Sequence, residues 1–255
     1  MNEVHDAAAR GFSSASEAYA RGRPDYPPAL DAWLRDAVGL ASGTTVVDLG
    51  AGTGKFVPRL LDTGATVIAV EPVDAMRAEL AATHPAVDVR AGTAAAMPLA
   101  DASVDAVVCA QAFHWFATND ALAEMRRVLR PHGVLALVWN VRDESVPWVR
   151  RMTDVMSAYE GDAPRFHRGT WRDVFPAPGF GPLEEARFRH LHRGPVDEVF
   201  IDRAMSVSFI AALPEVERAV VRARLDAIVA SEPALRDART IAFPYETRAY
   251  RCVRT

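Results

Sequence analysis

The chain has 255 residues, of which half are hydrophobic and 24% are charged, as in an ordinary globular protein. This length forms either one large α/β domain or a domain with an appendage, and both can bury a full hydrophobic core. The net charge of −4 argues against a surface that binds nucleic acid or acidic lipid.

The first forty residues predict an arm that ends in a helix. Prolines at positions 24, 27 and 28 break the chain, and Pro28 suits the first turn of a helix over ALDAWLRDAVGL. We expect residues 1–40 to form a lid over the rest of the domain.

From residue 41 to residue 140, short apolar runs alternate with helical segments. The runs predict strands at 44–49, 65–71, 86–92, 103–111 and 133–140, and the segments between them predict helices at 53–64, 74–84 and 119–131. Residues 93–102 have too little periodicity for a helix and predict a loop with one turn. This alternation is typical of a parallel sheet with helices on both faces.

The pattern changes after residue 140. Residues 141–182 are rich in Arg, Trp and Pro and predict at most one or two short helices, such as 146–160. Two amphipathic helices are predicted at 196–213 and 214–230. Residues 183–193 and 240–255 predict two final strands, the second interrupted at Pro244. We therefore expect a single domain over 1–255, with a core at 41–140 and helical insertions at 141–182 and 194–239.

The chain shows no sign of secretion or of a membrane anchor. Cys109 and Cys252 are too few for a disulfide framework, which fits a reducing cytoplasm. The N-terminal residues lack the apolar core of a signal peptide, and no apolar run approaches the length of a membrane span. We expect a cytoplasmic protein, monomeric or homodimeric, with no nucleic-acid or membrane partner.

VVDLGAGTGKF is the strongest functional signal in the chain. A predicted strand runs into Asp48, and three glycines then lead into a helix, so that a ligand can approach the backbone and the amides of the helix N-terminus. A Walker phosphate loop requires Ser or Thr after Gly54-Lys55, where Phe56 stands. A dinucleotide fingerprint requires a third glycine where Lys55 stands.

The run Asp48-Leu-Gly-Ala-Gly-Thr-Gly resembles the first motif of class I S-adenosylmethionine-dependent methyltransferases. The resemblance implies a Rossmann-like, doubly wound sheet of seven strands with the last strand antiparallel. In this chain a helical cap would be formed by the N-terminal segment and the insertions of the C-terminal half. The resemblance also implies S-adenosyl-L-methionine as the cofactor. The cofactor-binding residues expected from it are Asp48, Gly50, Ala51, Gly52, Gly54, Glu71, Pro72, Thr93, Ala94 and Gln111.

Two of these positions have specific expected roles. Glu71, at the end of the second strand, matches the family's acidic residue that takes both ribose hydroxyls, and two vicinal hydroxyls suit one bidentate carboxylate. Thr93 departs from the family pattern, because an Asp that commonly contacts the adenine amino group stands there in relatives. Thr93 and Ala94 therefore remain the candidates for contact with adenine.

Three further motifs resemble those of trans-aconitate methyltransferases and their relatives, which act on small molecules. The motif QA-x-HW is matched at 111–115, Y-x3-RP-x-YP at 19–27, and PY-x-T-x2-Y at 244–250. The resemblance implies a small-molecule acceptor. The substrate-binding residues expected from it and from the predicted layout are Tyr19, Arg23, Tyr26, Trp115, Asn140 and Tyr245.

His114 is the candidate catalytic residue, with a structural histidine as the alternative. It follows the fourth strand, at the rim where ligands bind in such sheets. A neutral imidazole can take a proton from an attacking hydroxyl or amine. If the acceptor is a carboxylate, His114 would position it and arginines of the insertion would matter more. Trp115 fits a core or a substrate contact equally, and Phe113 and Phe116 are assigned to packing.

The sequence also offers candidate anion-binding and metal-binding residues, and it leaves alternative functions open. A carboxylate could be bound by arginines of the first insertion, namely Arg142, Arg165, Arg168 and Arg172, although a solvated surface charge is the favoured interpretation of each one taken separately. His190 and His192 share one side of a strand, but no third ligand has metal-site spacing, so no metal is expected. The rival functions are methylation of protein or nucleic acid and a non-catalytic S-adenosylmethionine-binding protein, while a nicotinamide dehydrogenase is disfavoured by the glycine pattern.

Overall fold

The computed structural model describes residues 23–162 and 164–255, and within them seven strands form one sheet in the order β3-β2-β1-β4-β5-β7-β6. The strands are β1 (Thr45–Leu49), β2 (Thr66–Val70), β3 (Asp88–Arg90), β4 (Val104–Ala110), β5 (Leu129–Arg142), β6 (Glu184–Gly194) and β7 (Ile241–Val253). Strands β1 to β5 are parallel to one another, and β7 runs antiparallel to both β5 and β6. The predicted α/β sheet with an antiparallel last strand is confirmed.

Helices cover both faces of this sheet and one end of it. They are α1 (Ala29–Asp36), α2 (Val57–Leu61), α3 (Asp74–Thr83), α4 (Asn119–Val128), α5 (Pro147–Ser157), α6 (Arg203–Met205), α7 (Ser208–Ala211), α8 (Glu215–Ser231) and α9 (Pro233–Arg236). Short 3-10 turns lie at Phe113–Trp115, Phe166–Arg168 and Thr170–Arg172. None of the helices in the described residues is long and apolar enough to cross a membrane.

Three apolar clusters hold the layers together. One face of the sheet packs on α4 through residues such as Leu122 and Met125. The other face packs on α1 and α2, where Leu30 and Leu60 are fully buried. A third cluster joins α5, α8 and the start of β7. Burial of apolar surface of this kind stabilises the fold by about 25 cal/mol per Å².

Two helix boundaries differ from the sequence prediction. The helix expected at 53–64 begins only at Val57, because residues 51–56 form tight turns in which the Gly54 amide donates to the Ala51 carbonyl at 3.0 Å. The helix expected at 119–131 ends at Val128, and Leu129 already pairs with Val104 as part of β5. A residue shortly before a proline avoids the α conformation, which explains the early end before Pro131.

The two final segments also differ from the prediction. The helix expected at 196–213 is broken into a π-helical turn at Asp197–Asp202, then α6 and α7. Val199–Ile201 are all buried, whereas a straight α-helix presents a narrower apolar stripe. Strand β7 runs without interruption through Pro244. Proline has no amide hydrogen to donate to a neighbouring strand. This is tolerated because the pairing of β7 with β5 extends only as far as Tyr245 and does not include Pro244.

Candidate active site

A cavity of about 430 Å³ lies at the carboxyl ends of β1, β2 and β4, where ligands bind in open α/β sheets. Segments that follow each of these strands form its walls. The sequence-predicted site residues that line it are Arg23, Tyr26, Asp48, Gly50, Ala51, Gly52, Glu71, Pro72, Thr93, Ala94, Gln111, Trp115 and Asn140.

The glycine loop after β1 has a backbone that other residues adopt only with strain. Gly50 and Gly52 have φ angles of +70° and +57°. The Gly50 amide donates to the Val70 carbonyl of β2 at 2.8 Å, and a Cβ at Gly50 would lie 2.9 Å from the Cβ of Ala112. Both glycines border the cavity, so the loop presents bare backbone to it.

Glu71 is fixed by the backbone on both sides. Its Oε2 accepts from the Gly52 amide and its Oε1 from the Val73 amide, each at 3.0 Å. Burial raises the pKa of Glu71, and these two hydrogen bonds oppose that shift. Each carboxylate oxygen keeps a lone pair for a further donor, so the residue can accept two hydroxyls at once.

Asp48 is the most unusual group in the cavity wall. It is 1% exposed, and neither of its carboxylate oxygens has a hydrogen-bond partner in residues 23–162 and 164–255. Burial, and then the charge of Glu71, raise its pKa to about 7. A buried polar group without a partner is costly, so a cationic or hydroxyl donor on a ligand would stabilise it.

The end of β4 turns sharply at Gln111. This residue has a φ of +59°, which is uncommon for a residue other than glycine, and its amide donates to the Val138 carbonyl at 2.7 Å. Such strain is concentrated at functional sites. On the other side of the cavity, Thr93 and Ala96 exchange backbone hydrogen bonds in a tight turn, which places Thr93 and Ala94 in the wall.

His114 does not line the cavity, although its neighbour Trp115 does. The Nδ1 atom of His114 accepts a hydrogen bond from the indole Nε1–H of Trp139 at 3.0 Å. Desolvation, followed by the charges of Arg165 and Arg23, lowers the pKa of His114 to about 3. The ring is therefore neutral with its proton on Nε2, which leaves a donor and no free basic nitrogen. This geometry does not fit the expected role of general base.

Gly54 and Tyr245 lie outside the cavity. A Cβ at Gly54 would lie 2.9 Å from both Leu80 Cγ and His84 Cδ2, so this glycine permits close packing of the loop on α3. Tyr245 is 1% exposed, and its hydroxyl accepts from Arg203 Nε at 3.2 Å. It contacts Arg203, which lines the cavity, and does not line the cavity itself. Tyr19, the remaining substrate candidate, lies outside the described residues.

Asn140 and Tyr26 tie the walls together. Asn140 lies at the end of β5, where its Oδ1 accepts from Thr247 Oγ1 at 2.5 Å and its Nδ2 donates to the Asp25 carbonyl at 3.3 Å. Tyr26 is buried with its ring edge-on to Phe56, at 4.7 Å between ring centroids. The segment before α1 is thereby fixed against the glycine loop.

Phe116, Lys55 and Arg203 are among the wall residues that the sequence missed or misassigned. Phe116, assigned to packing, borders the cavity and would lie 3.2 Å from a Cβ at Gly50. Lys55 and Arg203 also line the cavity, and Lys55 Nζ donates to the Arg23 carbonyl at 2.7 Å. The position of Lys55 beside the glycine motif was an available signal, whereas Arg203 lies in a helical segment with no motif.

Two of the four candidate arginines of the first insertion are paired elsewhere. Arg168 Nε lies 3.1 Å from Glu160 Oε1, and Arg172 donates to the Tyr250 hydroxyl at 2.7 Å.

The two histidines of β6, His190 and His192, pack on Tyr245 of the neighbouring strand β7. Their ring centroids lie 5.6 and 6.4 Å from the centroid of the Tyr245 ring. In the part of the chain that the structure describes, no three His, Cys, Asp or Glu residues are grouped to hold a metal ion.

Comparisons with known proteins agree on a family. Residues 47–137 match the model of a family described as a methyltransferase domain. An uncharacterized methyltransferase-like protein of Schizosaccharomyces pombe is 41% identical over 233 residues, which cover 91% of each chain. An uncharacterized methyltransferase of Mycobacterium bovis is 39% identical over 92% of each chain.

A solved structure shows the same architecture. A protein of Anaeromyxobacter dehalogenans assigned as a type II methyltransferase superposes with a TM-score of 0.69 at 27% identity, over 91% of this chain and 97% of that one. Sequence identity of 41% over 91% of the chain, together with the shared sheet architecture, shows the family. The chain belongs to the class I S-adenosylmethionine-dependent methyltransferases.

Proposed function

We propose that the protein methylates an oxygen atom of a small organic acceptor, a carboxylate or a hydroxyl, with S-adenosylmethionine as the donor. One observation carries the proposal: the cavity walled by Asp48 and Glu71 is also walled by Arg203, which the helical layer supplies. The cofactor elements and a cationic side chain of the insertion therefore border one space, and a cavity of about 430 Å³ suits small ligands.

The residues present fit the cofactor. Glu71 is held with both oxygens able to accept from the two ribose hydroxyls, and the unpartnered carboxylate of Asp48 suits the ammonium of the methionine end. Gly50 and Gly52 leave room beside the backbone. When bound, S-adenosylmethionine supplies a methyl group activated by the positive charge of its sulfur.

The protein's part in such a transfer is to orient the acceptor and to exclude water. Alignment of two reactants in a fixed geometry can supply about 7–11 kcal/mol in favourable cases. Tyr26, Trp115 and Asn140 approach the cavity from three separate segments, and the contacts of Asn140 and Tyr26 fix their positions. A wall of this kind also shields the acceptor from water.

The state of His114 favours a carboxylate over a hydroxyl as the methylated group. A carboxylate is already ionised near neutral pH and needs no base, whereas a hydroxyl must lose a proton. Because Trp139 occupies Nδ1 and the ring does not line the cavity, His114 offers no base to a hydroxyl acceptor. The motif resemblance to trans-aconitate methyltransferases also supports an acidic acceptor.

Calorimetry with S-adenosylhomocysteine, NADH and ATP tests the cofactor. We expect the first to bind and the other two not to bind, and binding of NADH alone would overturn the proposal.

The acceptor is tested with methyl-labelled cofactor and a panel of small acids, alcohols, phenols and amines, with a total protein extract and RNA as further arms. Label in a small acid, alcohol or phenol supports the proposal. Label only in amines, only in the macromolecules, or in no acceptor of either kind contradicts it.

A further inference from the structure

Three arginines from distant segments lie near one another beside the cavity, and of these Arg203 lines it. Arg142 ends β5 and lies opposite Tyr245 in the β5–β7 register, while Arg203 donates from Nε to the hydroxyl of the same Tyr245 at 3.2 Å. The guanidinium of Arg165 lies 5.7 Å from the ring centroid of Trp115, a residue of the cavity wall. We call Arg142, Arg165 and Arg203 the arginine cluster.

Four nitrogen atoms of this cluster are buried and lack partners among the described residues. Arg142 Nε, Arg165 Nε and Nη2, and Arg203 Nη1 are inaccessible to solvent and make no hydrogen bond within residues 23–162 and 164–255. Arg203, which lines the cavity, is 7% exposed. Buried donors are normally satisfied, and each one left without a partner costs about 1–3 kcal/mol.

Within residues 23–162 and 164–255, the two carboxylates that act on Arg142 and Arg165 are shared with other groups. Glu144 and Glu160 act on Arg142 and Arg165, but Glu144 accepts from Thr153, and Glu160 is engaged by Arg168 at 3.1 Å. Burial, and then the charge of Arg203, lower the pKa of Arg142 to about 10. Burial likewise lowers the pKa of Arg165 to about 10, with Glu160 opposing the shift.

Further positive charge borders the same space. Lys55 and Arg23 line the cavity. The pKa of His192 is lowered to about 4, first by burial and then by the charges of Lys55 and Arg203. The fold thus holds several cations close together against their mutual repulsion. Such an arrangement is stabilised when an anion binds among them.

On the basis of the proposed function, we propose that the arginine cluster binds an anchoring group of the methyl acceptor that carries two negative charges, either two carboxylates or one phosphate. A guanidinium fork matches the oxygen atoms of both groups. An oxyanion held by three guanidiniums has its lone pairs engaged and its charge offset, which makes it a poor nucleophile. The methylated oxygen is therefore a different atom of the same acceptor.

The test is calorimetry on the full chain saturated with S-adenosylhomocysteine. The probes are malonate, succinate and glutarate, with inorganic phosphate as a separate arm and glutaramide as the uncharged control. We expect at least one dianion to bind and glutaramide not to bind. Binding of a dicarboxylate alone identifies a carboxylate pair, and binding of phosphate alone identifies a phosphate.

Variants locate the site. Arg203→Met is expected to weaken the dianion at least 10-fold while the affinity for S-adenosylhomocysteine stays unchanged, and Arg165→Met serves if the first variant fails to fold. Arg218→Met is the matched control, because Arg218 is exposed on α8. The inference is overturned if no dianion binds, or if the control loses as much affinity as the cluster variants. Failure of S-adenosylhomocysteine to bind the wild-type chain would instead refute the proposed function.

Discussion

The two ends of the cavity are built in different ways. The cofactor end is made of short segments that directly follow parallel strands, and its main contacts involve backbone: Gly52 and Val73 amides on Glu71, and the turn at Gln111. The acceptor end, where we propose that the substrate binds, is bordered by side chains from distant parts of the chain, such as Arg23 and Arg203, and its character comes from their charge.

This difference separates what the family shares from what is particular to this chain. A backbone cradle at the ends of strands depends on glycine conformation and on strand register, and both are fixed by the sheet. Side chains supplied by a helical layer depend on how that layer packs, and they can change without disturbing the sheet. Substitutions at the cofactor end should therefore affect binding of S-adenosylhomocysteine, whereas those at the acceptor end should leave it intact.

The largest effect is expected for Glu71→Ala. The substitution removes the acceptor of two hydroxyl hydrogen bonds, each worth about 2 kcal/mol when one partner is charged, so the affinity for S-adenosylhomocysteine should fall roughly 10³-fold. Calorimetry measures this loss. Glu79→Ala, at an exposed position of α3, is the control and should bind as the wild type does. An affinity within 10-fold of wild type for Glu71→Ala would place the ribose elsewhere.

Asp48→Asn is expected to stabilise the cofactor-free protein above neutral pH. The carboxyl has a pKa of 3.8 when unfolded and about 7 when folded, so the folded state binds more protons in this range and stability falls as the pH rises from about 4 to 7. Asparagine stays neutral and avoids this loss, which amounts to a few kcal/mol.

Urea unfolding at pH 4, 6 and 8 measures the difference between Asp48→Asn and wild type. It should be smallest at pH 4 and largest at pH 8, while the affinity for S-adenosylhomocysteine decreases. Asp36→Asn, at an exposed position in α1, is the control. A stability difference that does not change with pH would show that Asp48 has a partner in solution.

Substitutions of His114 test whether this residue has a structural role or acts as a general base. His114→Ala leaves the Trp139 indole N–H without its acceptor and should lower the free energy of unfolding by about 1–3 kcal/mol. His114→Asn offers an amide oxygen in place of Nδ1 and should recover most of that stability. It should also keep activity within about 10-fold of wild type. A rate profile with an ionisation between pH 6 and 7 that disappears in His114→Asn would restore the general base.

The sequence predicts which residues meet at the cofactor end of the cavity because local rules determine their placement. Glycine is needed wherever φ is positive and a ligand approaches, and a carboxylate after the second strand falls at the same rim as the loop after the first. Asp48, Gly52 and Glu71 do line one cavity.

The acceptor end could not be predicted to the same degree. The role of His114 depends on Trp139, which reaches it because Ala110 pairs with Val138 across β4 and β5. Arg203 reaches the cavity through a π-helical turn that a straight amphipathic helix would not contain. Neither the cross-strand register nor the extra residue of a π-turn leaves a periodic signal in the sequence.

The smallest effect concerns Gly54, which the sequence grouped with the cofactor-binding glycines. Gly39 and Gly54 have similar φ angles of +81° and +86°, so alanine at either position should lose about 1 kcal/mol from backbone strain. Alanine at Gly54 also crowds Leu80 and His84, whereas nothing lies within 4 Å at Gly39. Gly54→Ala should therefore be less stable than Gly39→Ala by about 1 kcal/mol in urea unfolding. Both variants should bind S-adenosylhomocysteine as the wild type does. Equal stability with a 10-fold weaker affinity for Gly54→Ala would instead return this glycine to the cofactor end, because only a ligand contact would then distinguish the two positions.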